Sequence, residues 1–340
     1  MSHPSAGGDP TPGTMRAVVV TRPGGLDALE IKDVPVPVRK PGWVRIRVKA
    51  FGVNESEVTT RKGESDAEVT YPRVPGIEGV GVVDEADEDS GLRSGQQVAT
   101  MMGGMGRSYD GAYAQYLTVP AAQVIPFESG LPWEVVGALP EMFQTAYGSL
   151  TTGLDLKARE TLLIRGGTST VGLSAATIAK DLGATVLSTT RSPERVGDLR
   201  AAGVDHPLVD NGTVADQVRE LMPDGVDAVL ELVGCSVLAD SLRTVRRHGT
   251  VCFTGALAGQ WTIPDFTPFM IPGGVRLTSY GGQAADLPAD VFARQLQAIA
   301  AGSLKVPVAK VYHGLDQVGD AQADVESGTT PGKHVVVLAD

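Results

Sequence analysis

A glycine-rich turn in the middle of the chain, between a strand and a helix, constrains the fold more than any other feature. The apolar run TLLIR (161–165) precedes the turn, and VGLSAATIAKDLG (171–183) follows it with small residues at helical spacing. Five further strand candidates come after it, separated by helical patterns: ATVLSTT, HPLVD, DAVLELVG, GTVCFTGA and VRLTSYG. This alternation predicts a doubly wound parallel sheet covered by helices.

The turn itself matches the dinucleotide fingerprint G-x-G-x-x-G with one departure. Ser169 stands at the middle glycine. Backbone N–H groups at the start of the helix, together with three hydroxyl side chains, form an anion site suited to a pyrophosphate. We therefore predict cofactor contacts along the whole turn, at Gly167, Thr168, Ser169, Thr170, Val171 and Gly172.

The end of the next strand predicts which dinucleotide binds. NAD sites usually carry Asp or Glu there, about 20 residues past the turn, to hold the ribose 2′-hydroxyl. Here Thr190 stands at the place of the acid and Arg191 follows it. A carboxylate would repel a 2′-phosphate, whereas a hydroxyl followed by a guanidinium binds it, with Arg195 as a second cation. We predict NADPH as the cofactor; solvated surface charge is the alternative interpretation of the arginines.

The sequence before the turn has a different pattern of secondary-structure signals. After a small, polar, Gly- and Pro-rich lead-in at 1–14, which we expect to be disordered, six strand candidates follow without intervening helices. Such spacing predicts a rolled or barrel-like β domain. The pattern becomes helical near Trp133, and the tail after 282 mixes helices with the strands VPVAKVY and HVVVL. We expect this tail to pack back on the first domain.

Composition excludes several classes of function. The 340 residues suffice for two domains, and the net charge of −11 argues against nucleic acid or an anionic membrane as the main partner. No run of about 18 apolar residues occurs, and the N-terminus lacks a signal-peptide pattern. Only two cysteines, Cys235 and Cys252, are present, so no disulfide framework is implied and we expect a cytoplasmic protein.

Five segments in a fixed order carry a family resemblance: PGIEGVGVV (75–83), DGAYAQYLTVP (110–120), ALPEMFQTAYGSL (138–150), LLIRGGTSTVGLSAA (162–176) and TPGKHVVVL (330–338). The chain resembles the medium-chain dehydrogenase/reductase superfamily, in its zinc-independent quinone oxidoreductase (zeta-crystallin-like) branch. The resemblance implies a Rossmann-type sheet at 137–281 inserted into a GroES-like, β-rich catalytic domain formed by 15–136 and 282–340. It places the active site in the cleft between them.

Zinc-using members carry a Cys in the segment matching FGVNESEV, a His in place of Ile77 and a third ligand in the segment matching ALPEMFQ. This chain has no cysteine before Cys235, and His3 is the only histidine before His206. Glu55, Glu78 and Glu141 would make a poor, hard-oxygen zinc site. The sequence therefore predicts no metal.

Without a Lewis acid, hydride transfer to a quinone or an α,β-unsaturated carbonyl is easier than to a plain ketone, because the negative charge delocalises. Asn54 matches a cleft asparagine of the family and is expected to donate to that oxygen; satisfying a turn is its alternative role. Thr145 matches the threonine near the nicotinamide carboxamide, with plain packing as its alternative. The resemblance also implies cofactor contacts at Val233, Gly255, Ala256, Leu257 and Lys333.

Two other functions stay open: an enoyl-thioester reductase of secondary metabolism, and a non-catalytic NADPH-binding protein. Tyr71, Tyr147 or water are candidates for proton delivery. Met101, Met102 and Met105 either line the pocket or fill gaps in the core. Because VRLTSYG is expected at the sheet edge, where an apolar strand invites pairing, we also predict a homodimer.

Overall fold

In a computed structural model of the chain, residues 13–65, 68–330 and 332–339 are described. The lead-in residues 1–12, predicted to be disordered, lie outside the described residues. The first strand already begins at Thr14, the last residue of the predicted lead-in, because residues 14–20 pair with residues 29–35. No helix among the described residues is both long and apolar enough to cross a membrane.

The front half forms strands, as predicted, and adds two elements that the pattern did not indicate. These are the helix Glu55–Lys62, which has few apolar residues, and the three-residue strand Val124–Pro126. The elements are β1 (Thr14–Val20), β2 (Leu29–Pro35), β3 (Trp43–Val53), α1 (Glu55–Lys62), β4 (Glu78–Glu85), β5 (Gln97–Met101), β6 (Tyr116–Pro120) and β7 (Val124–Pro126).

Two helices then lead into the central sheet. Pro140 starts the second of them, where its missing N–H costs nothing. The elements from here are α2 (Trp133–Val136), α3 (Pro140–Gly148), β8 (Thr161–Arg165), α4 (Thr170–Asp181), β9 (Thr185–Thr190), α5 (Val196–Ala201), β10 (His206–Val209), α6 (Ala215–Leu221), β11 (Val226–Glu231), α7 (Cys235–Thr244), β12 (Val245–Phe253) and β13 (Arg276–Ser279).

The central sheet has six strands in the order β10-β9-β8-β11-β12-β13, and every neighbouring pair is parallel. Counted from β8 this is the order 3-2-1-4-5-6 of a dinucleotide-binding sheet. The direction of winding reverses between β8 and β11, which places a crevice at their carboxyl ends. The predicted α/β fold, a Rossmann-type sheet with a β-rich partner, is confirmed.

The tail returns to the front half of the chain. Its elements are α8 (Ala289–Ala300), β14 (Val308–His313), α9 (Val318–Ser327) and β15 (Lys333–Val337). β15 pairs antiparallel with β3, with His334 opposite Val53, so a sheet runs β14-β15-β3-β4-β5-β7, with β6 also on β3. This register brings Lys333 next to Asn54. The exact domain limits at 136 and 281 stay a prediction.

Candidate active site

The glycine turn has the backbone geometry that a phosphate-binding loop requires. Gly166 has φ +85°, a conformation that side chains rarely tolerate. A Cβ at Gly172 would lie 2.6–2.8 Å from the backbone of Gly166 and Gly167, so α4 can approach the strand only with glycine there. The N–H groups of the first turn of α4 have no carbonyl partner within the helix. That of Gly172 donates to Ser169, and those of Thr170 and Val171 can bind an anion.

Ser169 is the N-cap residue of α4. Its Oγ accepts from the N–H of Gly172 at 3.0 Å and donates to the carbonyl of Gly166 at 2.8 Å. The single hydroxyl proton is therefore used within the turn. In this geometry Ser169 stabilises the loop as a cap, and its hydroxyl does not supply the outward donor that the sequence suggested.

The residues expected at the 2′-phosphate occupy the end of β9. Thr190 is buried, and its hydroxyl bonds within the turn to Ser192. Arg191 is exposed. Arg195 donates to the carbonyl of Thr168 at 2.8 Å, which ties it to the glycine turn. The structure thus brings Arg195 to the predicted loop, with Arg191 on the surface beside the buried end of β9.

The ends of β11 and β12 complete this crevice. Val233 and Leu257 both lie over Gly166, where an added Cβ would meet their side chains at 3.3 and 3.1 Å. Gly255 and Leu257 are held by backbone bonds to Glu231 and Leu232. The predicted contacts Val233, Gly255, Ala256 and Leu257 therefore lie together at the carboxyl ends of the strands, beside the glycine turn.

Sequence reasoning missed Arg165, the residue directly before the turn. Its guanidinium is fully buried and bonds bidentately to Asp210 at 2.9 and 3.0 Å and to Asp240 at 2.7 Å. Ion pairing with these carboxylates, against the effect of burial, keeps the pKa of Arg165 raised. The only sequence signal was a charge ending an apolar strand. Arg165 holds the ends of β8 and β10 and the middle of α7 together beneath the turn.

Asn54 lies in a second group of residues, at the N-cap of α1. Its amide nitrogen donates to Glu78 at 3.0 Å and to Glu57 at 3.3 Å, and its oxygen accepts from the ammonium of Lys333. Both amide protons are thereby used. The contacts favour the alternative structural role over the predicted donation to a substrate, which stays a prediction.

Lys333 lies at the centre of this second group. Its ammonium contacts Asn54 Oδ1, Glu78 Oε1 at 2.6 Å and Glu141 Oε2 at 2.9 Å. We call Asn54, Glu78, Glu141 and Lys333 the lysine cluster. The structure groups Lys333 with the catalytic candidates, and two carboxylates already neutralise it, so these contacts do not support its predicted role as a cofactor ligand.

Burial dominates the electrostatics of the cluster. It raises the pKa of Glu78, and it raises the pKa of the neighbouring Glu57 to about 7. Burial alone would lower the pKa of Lys333, but attraction to Glu141 and Glu78 outweighs it, so the pKa is raised and the ammonium stays charged.

Thr145 joins the lysine cluster through Glu141. Its hydroxyl lies 3.1 Å from Glu141 Oε1 and 3.3 Å from Gln144 Oε1. Gln144 in turn donates to Tyr280 at 2.6 Å, which anchors α3 to the segment after β13. The structure therefore brings both catalytic candidates, Asn54 and Thr145, into one network.

Helix α3 connects the two groups of residues. Glu141 in its first turn belongs to the lysine cluster, and Ser149 just after its end bonds to the hydroxyl of Thr254 at 3.0 Å, next to Gly255. Eight residues of helix span about 12 Å. The lysine cluster therefore lies about 12 Å along α3 from the carboxyl end of β12.

Ser56 and Arg107 form a polar pair that the sequence analysis did not single out. Arg107 donates to the hydroxyl of Ser56, two residues after Asn54 in the first turn of α1. The Arg107 Nε is buried and has no hydrogen-bond partner among the described residues. Because Ser56 accepts from a cation and donates to none of the described residues, its hydroxyl proton is available to another acceptor.

The remaining candidates have mainly structural contacts. Tyr71 donates to the carbonyl of Thr60 at 2.5 Å. Met101 and Met105 are buried in hydrophobic clusters, and Met102 packs against one of them, in agreement with their role as core filler.

A zinc ion does not fit the residues present. The three segments in which zinc-using members carry their ligands contribute Asn54, Glu78 and Glu141 here, and the ammonium of Lys333 lies between them. These donors are all oxygens, whereas catalytic zinc favours nitrogen and sulfur. Within the described ranges no group of three or more His, Cys, Asp and Glu side chains is arranged to hold a metal.

Comparisons with known proteins cover both parts of the chain. Residues 40–129 match the family model of the alcohol dehydrogenase GroES-like domain, and residues 170–294 match that of the zinc-binding dehydrogenases. A probable quinone oxidoreductase of Leishmania amazonensis is 30% identical over 325 residues, which cover 91% of this chain and 93% of that protein.

Solved structures agree over nearly the whole length. The chain superimposes on AibC with a TM-score of 0.86 and 27% identity, covering 96% of this chain and 97% of that one. A mycobacterial protein solved in complex with NADPH gives a TM-score of 0.82 and 29% identity, covering 95% and 99%.

Proposed function

Because the chain belongs to the medium-chain dehydrogenase/reductase superfamily, we propose that this oxidoreductase uses NADPH to reduce a quinone or an α,β-unsaturated carbonyl without a zinc ion. The lysine cluster carries this proposal. An ammonium that three oxygen atoms already bind takes the place of a metal, so the site lacks the Lewis acid that a simple alcohol or ketone would need.

The crevice over the central sheet fits a dinucleotide. The turn at Gly166, Gly167 and Gly172 leaves backbone N–H groups accessible at the start of α4, and Arg195 is tied to the same turn. Preference for NADPH is supported by the exposed guanidinium of Arg191, by the absence of an acid at Thr190 and by the relative solved in complex with NADPH. When bound, the nicotinamide supplies a hydride.

The chain's own residues then position the acceptor and stabilise charge. Glu141 orients the hydroxyl of Thr145, and the lysine cluster fixes Glu141. Ser56, held by Arg107, provides the donor that Asn54 does not have free. A hydrogen bond from Ser56, backed by the guanidinium charge, stabilises negative charge on the oxygen of a conjugated acceptor.

The negative charge that develops on the substrate during hydride transfer determines which class of acceptor suits this site. A reduced ketone concentrates charge on one alkoxide oxygen, which favours a metal or a strong acid. A quinone or an enone spreads the charge into a phenolate or an enolate, and one or two hydrogen-bond donors are then enough. The donors present at this site therefore suit a conjugated acceptor.

Steady-state kinetics test the proposal directly. We expect oxidation of NADPH with a quinone and an enone panel to exceed reduction of NADP⁺ by ethanol or benzyl alcohol. Alcohol oxidation that outruns both reductions would overturn the assignment, and binding of NADPH without any turnover would favour a non-catalytic role.

Replacement of Ser56 tests whether its hydroxyl acts as a hydrogen-bond donor in turnover, apart from any effect on folding. Ser56→Ala should lower kcat for a quinone or an enone by about 10- to 1,000-fold, with a smaller effect on the affinity for NADPH. Thr59→Ala, which removes a hydroxyl on the same helix that bonds to the Ser56 carbonyl, is the matched control. Equal kcat in wild type and Ser56→Ala would rule out this donor.

A further inference from the structure

The ammonium of Lys333 is enclosed by oxygen atoms from three separate segments of the chain. Asn54 comes from the start of α1, Glu78 from the start of β4 and Glu141 from the start of α3. An ammonium group has three N–H donors, and each of these oxygens can accept one. The lysine side chain is only 2% exposed and that of Glu78 is fully buried.

Neighbouring residues pack closely around the side chain of Lys333. A Cβ at Gly52, the β3 residue beside it, would collide with both the Glu78 carboxylate and the Lys333 stem. The second Glu78 oxygen accepts from the backbone N–H of Glu141 at 2.8 Å. The position of the start of α3 thus depends on the same carboxylate that binds the ammonium.

We propose that Lys333 is the resident cation of this site, an ammonium attached to the chain that holds Asn54, Glu78 and Glu141 in place, and through Glu141 positions Thr145. Lys333 acts through these residues and is a positioning residue. Without the ammonium, two carboxylates would face each other across a buried space, where like charges repel strongly.

The three oxygen atoms around the ammonium of Lys333 are suited to bind cations in general. Two carboxylates and one amide carbonyl are hard ligands, which bind ammonium groups and ions such as Mn²⁺ or Mg²⁺. The cluster also carries two negative charges against one positive charge. It follows that the site vacated in Lys333→Ala should accept a free cation of suitable size, whereas a neutral molecule of the same shape should not replace the lysine.

Chemical rescue provides the first test. Lys333→Ala removes the equivalent of propylammonium, so we compare about 50 mM propylammonium with 1-propanol, its neutral counterpart. Without additive the variant should melt about 5–10 °C lower than the wild type. Propylammonium should recover at least about half of that loss, and 1-propanol should not. Lys310→Ala, which breaks an exposed ion pair between Lys310 of β14 and Asp324 of α9, is the matched control and should change little.

Binding of Mn²⁺ alone is a readout that does not involve activity. Equilibrium dialysis should give about one Mn²⁺ per chain of Lys333→Ala at submillimolar concentration and none for the wild type or Lys333→Met. Rescue by 1-propanol as effective as by propylammonium, or the same weak Mn²⁺ binding in all three proteins, would overturn the proposal.

The expected effect on turnover rests on the proposed function. Melting and Mn²⁺ binding do not depend on a substrate, so they test the cation site even if the proposed function is wrong. Lys333→Ala should lower kcat about 10- to 100-fold through displacement of Thr145, with KM for NADPH changed less than about threefold. If Lys333→Ala does not fold, the charge-compensated pair Lys333→Met and Glu78→Gln takes its place. That pair should regain stability and keep the loss of kcat; wild-type turnover in it would show that no cation is needed.

Discussion

At the scale of single residues, Arg191 is the exposed side chain on which we expect the choice of cofactor to depend. It follows the buried end of β9 at Thr190, and no acid stands there to hold a ribose hydroxyl. We expect the unmodified protein to prefer NADPH over NADH by about 10- to 150-fold, since a charge-assisted contact contributes about 1.5–3 kcal/mol. Arg191→Ala should lose most of that preference and leave NADH binding nearly unchanged.

Titration of the unmodified protein and of Arg191→Ala with NADPH and NADH, followed by fluorescence, measures the preference for NADPH. Arg200→Ala, which removes an exposed arginine of α5, is the control for general loss of positive charge. Equal affinities of the unmodified protein for the two cofactors would contradict the assignment.

We expect buried Glu57 to make the stability of the protein depend on pH. Burial raises its pKa from 4.5 to about 7, although donors from Ile77 and Asn54 favour the charged form. Since the folded state binds the proton more tightly than the unfolded state, the stabilisation is complete below the unfolded value and is lost as the pH rises through about 7. We expect the free energy of unfolding to fall by about 2–3 kcal/mol from this group between pH 5 and pH 8.

Urea denaturation at several pH values measures how much Glu57 contributes to the pH dependence of the free energy of unfolding. Glu57→Gln does not titrate, so its free energy of unfolding should fall less over this interval, whatever its value at pH 5. The exposed Glu128→Gln should keep the wild-type slope. Parallel curves for wild type and Glu57→Gln would show that Glu57 does not titrate in this range.

Residues of the glycine turn were predictable because a local pattern defines them. The strand, the three glycines and the helix are contiguous, and each is favoured by its own sequence. Lys333 was not predictable in the same way. Its partner Asn54 is 279 residues away, and only the register of β15 on β3 brings the two together.

At the scale of elements, strands and long helices followed the periodicity of the sequence. The parallel strands are short apolar runs, and α4 has small residues where it meets the sheet. Helix α1 was missed because its eight residues, ESEVTTRK, include only one apolar residue, Val58. Since Ser56 lies in α1 and Asn54 is its N-cap residue, that miss also concealed the Ser56–Arg107 pair.

Strand β13 lies at the edge of the central sheet, as the sequence predicted, and we expect a homodimer to form there. The segment before it carries the exposed apolar residues Trp261, Phe266 and Phe269, the last of them 97% exposed. Burial of these rings against a second copy would stabilise the pair.

Light scattering tests this prediction. The protein should have about twice the mass of one chain at micromolar concentration, and Phe269→Asp should shift it towards the monomer. Val38→Asp replaces another exposed apolar residue, remote in sequence, and should have no effect. A mass of 35.4 kDa for the unmodified protein would count decisively against the dimer.

At the scale of the whole molecule, segments far apart in the chain meet around the ammonium of Lys333. We expect the purified protein to hold no stoichiometric zinc, because the donors present are oxygens that bind an ammonium. Elemental analysis checks the metal content, and chelators should leave turnover unchanged. About one zinc per chain, with activity lost on chelation, would contradict the prediction.

The order of the strands along the chain has a consequence for biosynthesis. All six strands of the central sheet are consecutive, from Thr161 to Ser279, whereas β3 acquires its neighbour β15 only after all six have been translated. At about 5–20 residues per second, a ribosome needs roughly 15–55 s to travel from Asn54 to Lys333. During that interval the inserted domain can fold completely while the surrounding domain still lacks a strand. A nascent chain can therefore form its nucleotide crevice before its lysine cluster.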